Sequence, residues 1–202
     1  MKELNGIENI IFDLGGVILD IDYQLTVAEF KKLGIDNFDE IFSQYKQSTL
    51  SDNFETGRIT ELEFYEGIKT ISGKNFSFQE SKNAWNALLL ELPKERIILL
   101  KKLSKNYRLF LFSNTNQTHY NEFITKVESD FNTIFEKVYY SHQFGKRKPD
   151  ADSFLTILKE NNLVANETLF VDDSIQHIES ANSLGINTLL IQEKPITKLF
   201  GS

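Results

Sequence analysis

Three carboxylates and one lysine stand out because of where they fall in the chain. Asp13 closes the apolar run "IIFD" (10–13), and Asp172 and Asp173 close "LFVDD" (169–173). Burying an unpaired carboxylate is expensive, so an acid at the exit of a buried strand needs a hydrogen-bonding partner or a cation. For Asp13 alone a helix N-terminus would be enough. Two adjacent acids repel each other, and a cap accounts readily for one of them but not for both. A cluster of oxygen donors that also takes in Asp13 suits Mg²⁺ before zinc. Gly15 and Gly16 follow Asp13 and allow a tight turn that brings main-chain amides and carbonyls close to a small ligand.

Two further segments carry polar groups of the right kind. "LFLFSNT" (109–115) ends in Ser113, Asn114 and Thr115, whose hydroxyls and amide suit an anion at the start of the next helix and equally suit an ordinary N-cap. "GKRKPD" (145–150) sets three cations before a proline. A solvated basic loop is the plain reading of that run, and a phosphate-facing Lys148, next to the structured turn, is the sharper one. The histidines His119, His142 and His177 have no metal-ligand spacing and are expected in structural or surface roles.

The elements that must position these residues follow from the pattern of apolar runs. Segments 9–13, 107–113, 137–141, 168–173 and 187–192 are short and rich in β-branched and aromatic residues, and read as buried strands. Helical periodicity fills 94–105, 117–131, 150–161 and 174–184, the last closing at Gly185. Alternating strands and helices predict an α/β fold, a Rossmann-like parallel sheet flanked by helices, with ligands at the carboxyl ends of the strands. Residues 20–90 break this rhythm. They show helical spacing and no convincing strand, including a helix expected over 38–47, and read as an inserted α-helical cap. The expected division is a core of residues 1–19 plus 91–202 and a cap of 20–90.

Composition narrows the function. The chain of 202 residues carries a net charge of −7, which opposes binding to a phosphate backbone, so no nucleic-acid partner is expected. It has no cysteine, hence no disulfide or thiolate metal site. No apolar run approaches the length of a membrane span, and the chain reads as cytoplasmic, with no membrane partner. Nothing in the sequence speaks to oligomeric state.

Taken together, "FDLGGV", "FSNT", "KPD" and "FVDDS…IESANSLGI" resemble, in order and separation, the four motifs of the haloacid dehalogenase-like hydrolase superfamily, over nearly the whole chain. The insertion after the first motif is similar to the family's helical cap, and "FDLGGVILDID" with "FETGRIT" looks closest to the branch that includes alpha-glucose-1-phosphate phosphatase. The resemblance implies a Mg²⁺-dependent phosphomonoesterase acting on a small, sugar-like phosphate ester. It implies Asp13 as nucleophile, forming an aspartyl-phosphate. Ser113 and Asn114 would hold phosphoryl oxygens, and Lys148 would balance charge at the substrate and the nucleophile. Mg²⁺ would take Asp13, the Gly15 carbonyl and Asp173, with Asp172 in support.

One departure matters. Most phosphatases of this superfamily have a second aspartate where this chain has Gly15, serving as general acid and base, a role whose loss costs on the order of 10²-fold or more. Asp20 and Asp22 lie too far along the chain to replace it and are expected as solvated residues at the cap entrance. The missing acid keeps two alternatives open: a 2-haloacid dehalogenase-type hydrolase, or a phosphate-binding homologue that has lost turnover. Without that acid, esters with good leaving groups are the expected substrates.

Overall fold

The computed structural model describes residues 4–42, 49–192 and 195–200. Strand β1 (Asn9–Phe12) is followed by helices α1 (Tyr23–Lys32), α2 (Phe38–Phe42), α3 (Thr49–Glu55), α4 (Glu61–Ser72), α5 (Phe78–Asn86) and α6 (Lys94–Leu103). Strand β2 (Arg108–Ser113), helix α7 (Gln117–Ile134), strand β3 (Lys137–Tyr140) and helices α8 (Ser141–Phe144) and α9 (Ala151–Glu160) come next. The chain closes with β4 (Thr168–Asp172), α10 (Ile175–Ser183), β5 (Asn187–Leu190) and α11 (Ile196–Leu199). The helix expected over 38–47 is described as far as Phe42, and residues 43–48 lie outside the described residues.

The five strands form one parallel sheet in the order β3-β2-β1-β4-β5. β1 is central, with Phe12 level with Leu111 on one side and with Val171 on the other. The chain moves outward in both directions from β1, so a crevice opens at its carboxyl end. Successive residues of β1 feed opposite faces, as the two-residue period of a strand requires. Ile10 and Phe12 join a cluster with α6 and α7, whereas Ile11 packs with Phe154, Ile157 and Ile178 of α9 and α10. Both faces are therefore covered, which is why the strands read as continuous apolar runs.

Helices α1–α5 bury a separate cluster that includes Phe30, Phe38, Phe54, Phe64, Ile68 and Trp85. Its helices start where the sequence supplies caps: Thr60 with Glu63, and Ser77 with Glu80, form reciprocal capping boxes on α4 and α5. The chain enters and leaves this unit side by side. Asp20 N–H donates to the Glu91 carbonyl at 3.0 Å, Leu90 N–H to the Asp20 carbonyl at 3.0 Å, and Asp22 N–H to the Leu88 carbonyl at 2.9 Å.

Asp20 and Asp22 lie at the cap entrance, partly exposed, and each also has a structural partner there. Asp20 pairs with Arg96 at 2.6 Å, and Asp22 caps α1 by accepting from the Gln24 N–H at 2.9 Å. Both fix the geometry of the crossing between the two units. No helix among the described residues is long and apolar enough to cross a membrane.

Candidate active site

Asp13 follows the last residue of β1, and its N–H donates to the Val171 carbonyl at 2.9 Å, which holds it level with the end of β4. Ser113 ends β2 and Asp172 ends β4, so the parallel register alone brings a hydroxyl and two carboxylates to one edge. Among the described residues Asp13, Asp172 and Asp173 form a group whose carboxylate oxygens lie within 4.8 Å of one another.

One ammonium serves two of these acids. Lys148 Nζ is 2.7 Å from Asp13 Oδ1 and 2.6 Å from Asp172 Oδ2, and the side chain is only 1% exposed. The Phe112 and Phe170 rings each lie 5.4 Å from Nζ, so aromatic faces share in replacing the water that the cation has lost. Asp172 is saturated. Its Oδ1 also accepts from the Ser174 N–H at 2.8 Å and from the His177 ring at 3.0 Å. Burial would raise its pKa, but Lys148 and His177 outweigh burial and hold Asp172 below the ordinary carboxylate range.

The other two acids stand differently. Burial pushes Asp13 up to about 7 against the opposing pull of Lys148, with the Asp172 and Asp173 charges adding to the rise. Asp173 is pushed up to about 6, again mainly by burial and then by Asp172. Negative charge at this edge exceeds the one ammonium in contact with it, and the uncompensated donors are hard oxygens. A small divalent cation fits this set: it would relieve the raised acids, and Asp173 makes no ion pair among the described residues.

The two adjacent acids have different partners: Lys148 and His177 satisfy Asp172, and Asp173 is left as the candidate metal ligand. Asn114 lines the cavity, and its amide also positions the lysine: Nδ2 donates to the Lys148 carbonyl at 2.8 Å and Oδ1 accepts from the Lys148 N–H at 2.9 Å, which leaves one Nδ2 hydrogen for another acceptor. Ser113 is different: its side chain is buried at the cavity floor and its hydroxyl has no protein partner among the described residues.

The two glycines have separate reasons. Gly16 has φ +74°, and a Cβ there would lie 2.1 Å from Asp173 Oδ2, so the carboxylate sits where any side chain would be. Gly15 has no left-handed φ, and a Cβ would meet the end of the Ile21 side chain at 3.1 Å. Its missing side chain is not a demand of the backbone.

Residues from the helical insertion roof the site. A cavity of about 160 Å³ runs from Asp13, Ser113 and Lys148 to Tyr23 on α1, Glu55 on α3 and Trp85 on α5. Arg147, next in the chain to Lys148, turns away from it and pairs with Asp52 and with Glu55 Oε2, the latter at 3.0 Å. Gly57, with φ +68°, lets the turn after α3 approach the His142 carbonyl so closely that a Cβ would lie 2.2 Å from it. On the other flank His119 of α7 stacks on Trp85 with ring centroids 5.2 Å apart. Its two ring nitrogens engage Asn116 Nδ2 and the Trp85 carbonyl, each at 3.0 Å, and burial pushes its pKa down to about 4, so it is neutral.

Tyr23, Glu55 and Arg147 are not singled out by spacing, and His177 is expected only in a structural or surface role; Glu55, Arg147 and His177 do stand within the marked segments "FETGRIT", "GKRKPD" and "FVDDS…IESANSLGI".

Comparison with known proteins agrees with this geometry. Residues 10–191 match the family model of the haloacid dehalogenase-like hydrolases. The chain is 33% identical to D-ribitol-5-phosphate phosphatase of Bacteroides thetaiotaomicron over 90% of each protein. It is 25% identical to a phosphorylated carbohydrates phosphatase of Thermotoga maritima, over 90% of this chain and 83% of that protein. Among solved structures it superposes, with a TM-score of 0.88 and 32% identity over 96% of this chain and 98% of the other, on a haloacid dehalogenase-family enzyme of B. thetaiotaomicron. That structure is an aspartate-to-alanine variant in complex with magnesium and inorganic phosphate.

Proposed function

Because the chain belongs to the haloacid dehalogenase-like hydrolase family and is a hydrolase, we propose that it is a Mg²⁺-dependent phosphatase of small phosphorylated carbohydrates or polyols. The observation that carries this reading is the Asp13 carboxylate. It stands at the end of the central strand with Lys148 2.7 Å away and two further carboxylates within 4.8 Å. Family members that act on phosphorylated carbohydrates and polyols, and the cavity of about 160 Å³, support a small ester as substrate.

In this reading Asp13 attacks phosphorus through a carboxylate oxygen and becomes an aspartyl-phosphate, which water then hydrolyses. Lys148 binds a phosphoryl oxygen while it holds Asp13 in line, and Asp172 and Asn114 keep the lysine in place. The Ser113 hydroxyl donates to a second phosphoryl oxygen. Asp13, the Gly15 carbonyl and Asp173 would hold Mg²⁺, which when bound offsets the repulsion between an anionic nucleophile and an anionic substrate. Residues 20–90 act as the cap: Tyr23, Glu55 and Trp85 close over the ester and exclude bulk water.

The direct test is release of inorganic phosphate and of halide, with and without Mg²⁺, from ribitol 5-phosphate, a hexose 1-phosphate and a 2-haloacid. Mg²⁺-dependent phosphate release with no halide supports the reading. Halide release independent of Mg²⁺ would replace it with the dehalogenase.

A further inference from the structure

An ester of a primary alcohol leaves as a strongly basic alkoxide, and Gly15 has no side chain to protonate it. Resting on the phosphatase reading, we infer that Glu55, carried by the cap, is the general acid and base of this site. The titratable side chains that line the cavity are Asp13, Tyr23, Glu55, His119, Lys148, Asp173 and His177. Asp13 is the attacking group, Asp173 the metal-facing donor, and Lys148 the bridge between Asp13 and Asp172. His177 bonds to Asp172 at 3.0 Å, and both nitrogens of His119 are engaged. Tyr23, raised by burial and by the charges of Glu55, Asp173 and Asp13, stays protonated and cannot serve as a base. Of the cap groups, Glu55 is the one that can both give and take a proton; in the core only His177, bonded to Asp172 through Nδ1 alone, also remains.

Its placement suits the task. Glu55 ends α3, its side chain is 18% exposed, and its Oε2 lies 3.0 Å from Arg147 Nη2 as an ion pair, with no hydrogen bond made by that oxygen among the described residues. Arg147 is a core residue beside Lys148, and the Gly57 turn rests on the His142 carbonyl, so the core itself fixes where this cap carboxyl stands. The charged and titratable groups around it are Arg147, Asp52, Lys148 and Tyr23. Burial pushes Glu55 up to about 6; Arg147 opposes this and Asp52 adds to it, so both protonation states are accessible near neutral pH.

The step balances. As the Asp13 oxygen bonds to phosphorus and the bond from phosphorus to the ester oxygen breaks, the Glu55 carboxyl gives its proton to that oxygen and the free alcohol leaves. The Glu55 carboxylate then takes a proton from the water that attacks the aspartyl-phosphate. Asp13 and protonated Glu55 are regenerated as hydrogen phosphate departs.

The test compares single-turnover rates of the parent and Glu55→Gln, with Mg²⁺, on ribitol 5-phosphate and on 4-nitrophenyl phosphate, whose leaving group needs no proton. The expected result is a loss of roughly 100-fold or more on the polyol ester and a change of no more than about threefold on the aryl ester. Glu55→Met, which keeps the length without the acid, is expected to give the same split should the amide disturb the contact with Arg147. Equal losses on both esters in both variants would make Glu55 a positioning residue, and no loss on either would assign the proton elsewhere; each overturns the inference while the phosphatase reading stands. A parent chain that releases no phosphate from either ester would remove the phosphatase reading and this inference with it.

Discussion

Arg147 and Lys148 are adjacent cations that face opposite ways, and each clamps two carboxylates. Lys148 points into the core and binds Asp13 and Asp172, with side-chain exposures of 1% for the lysine and 11% and 0% for the acids. Arg147 points to the cap and binds Asp52 and Glu55, which are 41% and 18% exposed against 9% for the arginine. The first cluster is dry, positioned by strand register and flanked by two phenylalanine rings. The second is half-wet and joins two units whose apolar clusters are separate. In the proposed mechanism the dry cluster would set the electrostatics of attack, and the wet cluster would set where the cap stands when attack occurs.

Breaking each clamp should separate these roles. Lys148→Met leaves buried Asp13 without its cation and Asp172 with only His177 and the Ser174 N–H, and removal of one partner of a buried pair costs about 3–5 kcal/mol. A drop of that size in chemical denaturation, with loss of phosphatase activity, is the expected result. Arg147→Met removes a partly exposed pair, so solvent screening limits its cost to about 1 kcal/mol. Its larger effect should be on turnover of alkyl esters, through misplacement of Glu55. Equal destabilisation by the two variants would show that the two clusters are not different in kind.

The other flank of the cap offers a pH test. His119 is folded in with a pKa of about 4, below the 6.5 of an exposed histidine, so the unfolded chain binds more protons between those values. Its contribution is therefore complete above pH 6.5 and is lost as pH falls toward 4, by up to about 3 kcal/mol. The stability advantage of the parent over His119→Gln should shrink across that window, as measured by denaturant melts at fixed Mg²⁺. An advantage that is constant with pH would mean that His119 is not held neutral against Trp85.

An effect of similar size concerns the metal. Mg²⁺ at about 100 times its Kd should stabilise the parent by about 3 kcal/mol, because only the folded chain presents the site. Asp173→Ala should abolish that increment while leaving the metal-free melting temperature near that of the parent. Asp172→Ala should do the reverse and lower the metal-free melt, since Asp172 anchors Lys148, His177 and the Ser174 N–H. The opposite order would exchange their roles.

The comparison also shows what the sequence could and could not reveal. Strands β1, β2 and β4 are covered on both faces, so their apolar runs are unbroken and their final polar residues are conspicuous. Asp13, Ser113, Asp172 and Asp173 were legible for that reason, and Lys148 because it adjoins the turn before Pro149. Arg147 was not, since a run of three cations reads as solvent-facing until the acids of α3 are known to lie above it. Glu55 and Tyr23 were hidden because cap residues reach the site by the packing of helices, which periodicity alone does not orient. Asn114 was read as a phosphate ligand because its type permits that, and only the fold shows its amide bonded to the Lys148 main chain.

The central claim is that Asp13 carries the phosphoryl group. Rapid acid quenching during turnover of ribitol 5-phosphate with Mg²⁺, followed by mass spectrometry of the proteolysed chain, tests it most directly. The account predicts a phosphoryl adduct on the peptide that contains Asp13, formed before phosphate is released and absent from Asp13→Asn, whose turnover should fall by roughly 10⁴-fold or more. Phosphate release at the parent rate from Asp13→Asn, or an adduct on a different residue, would contradict it.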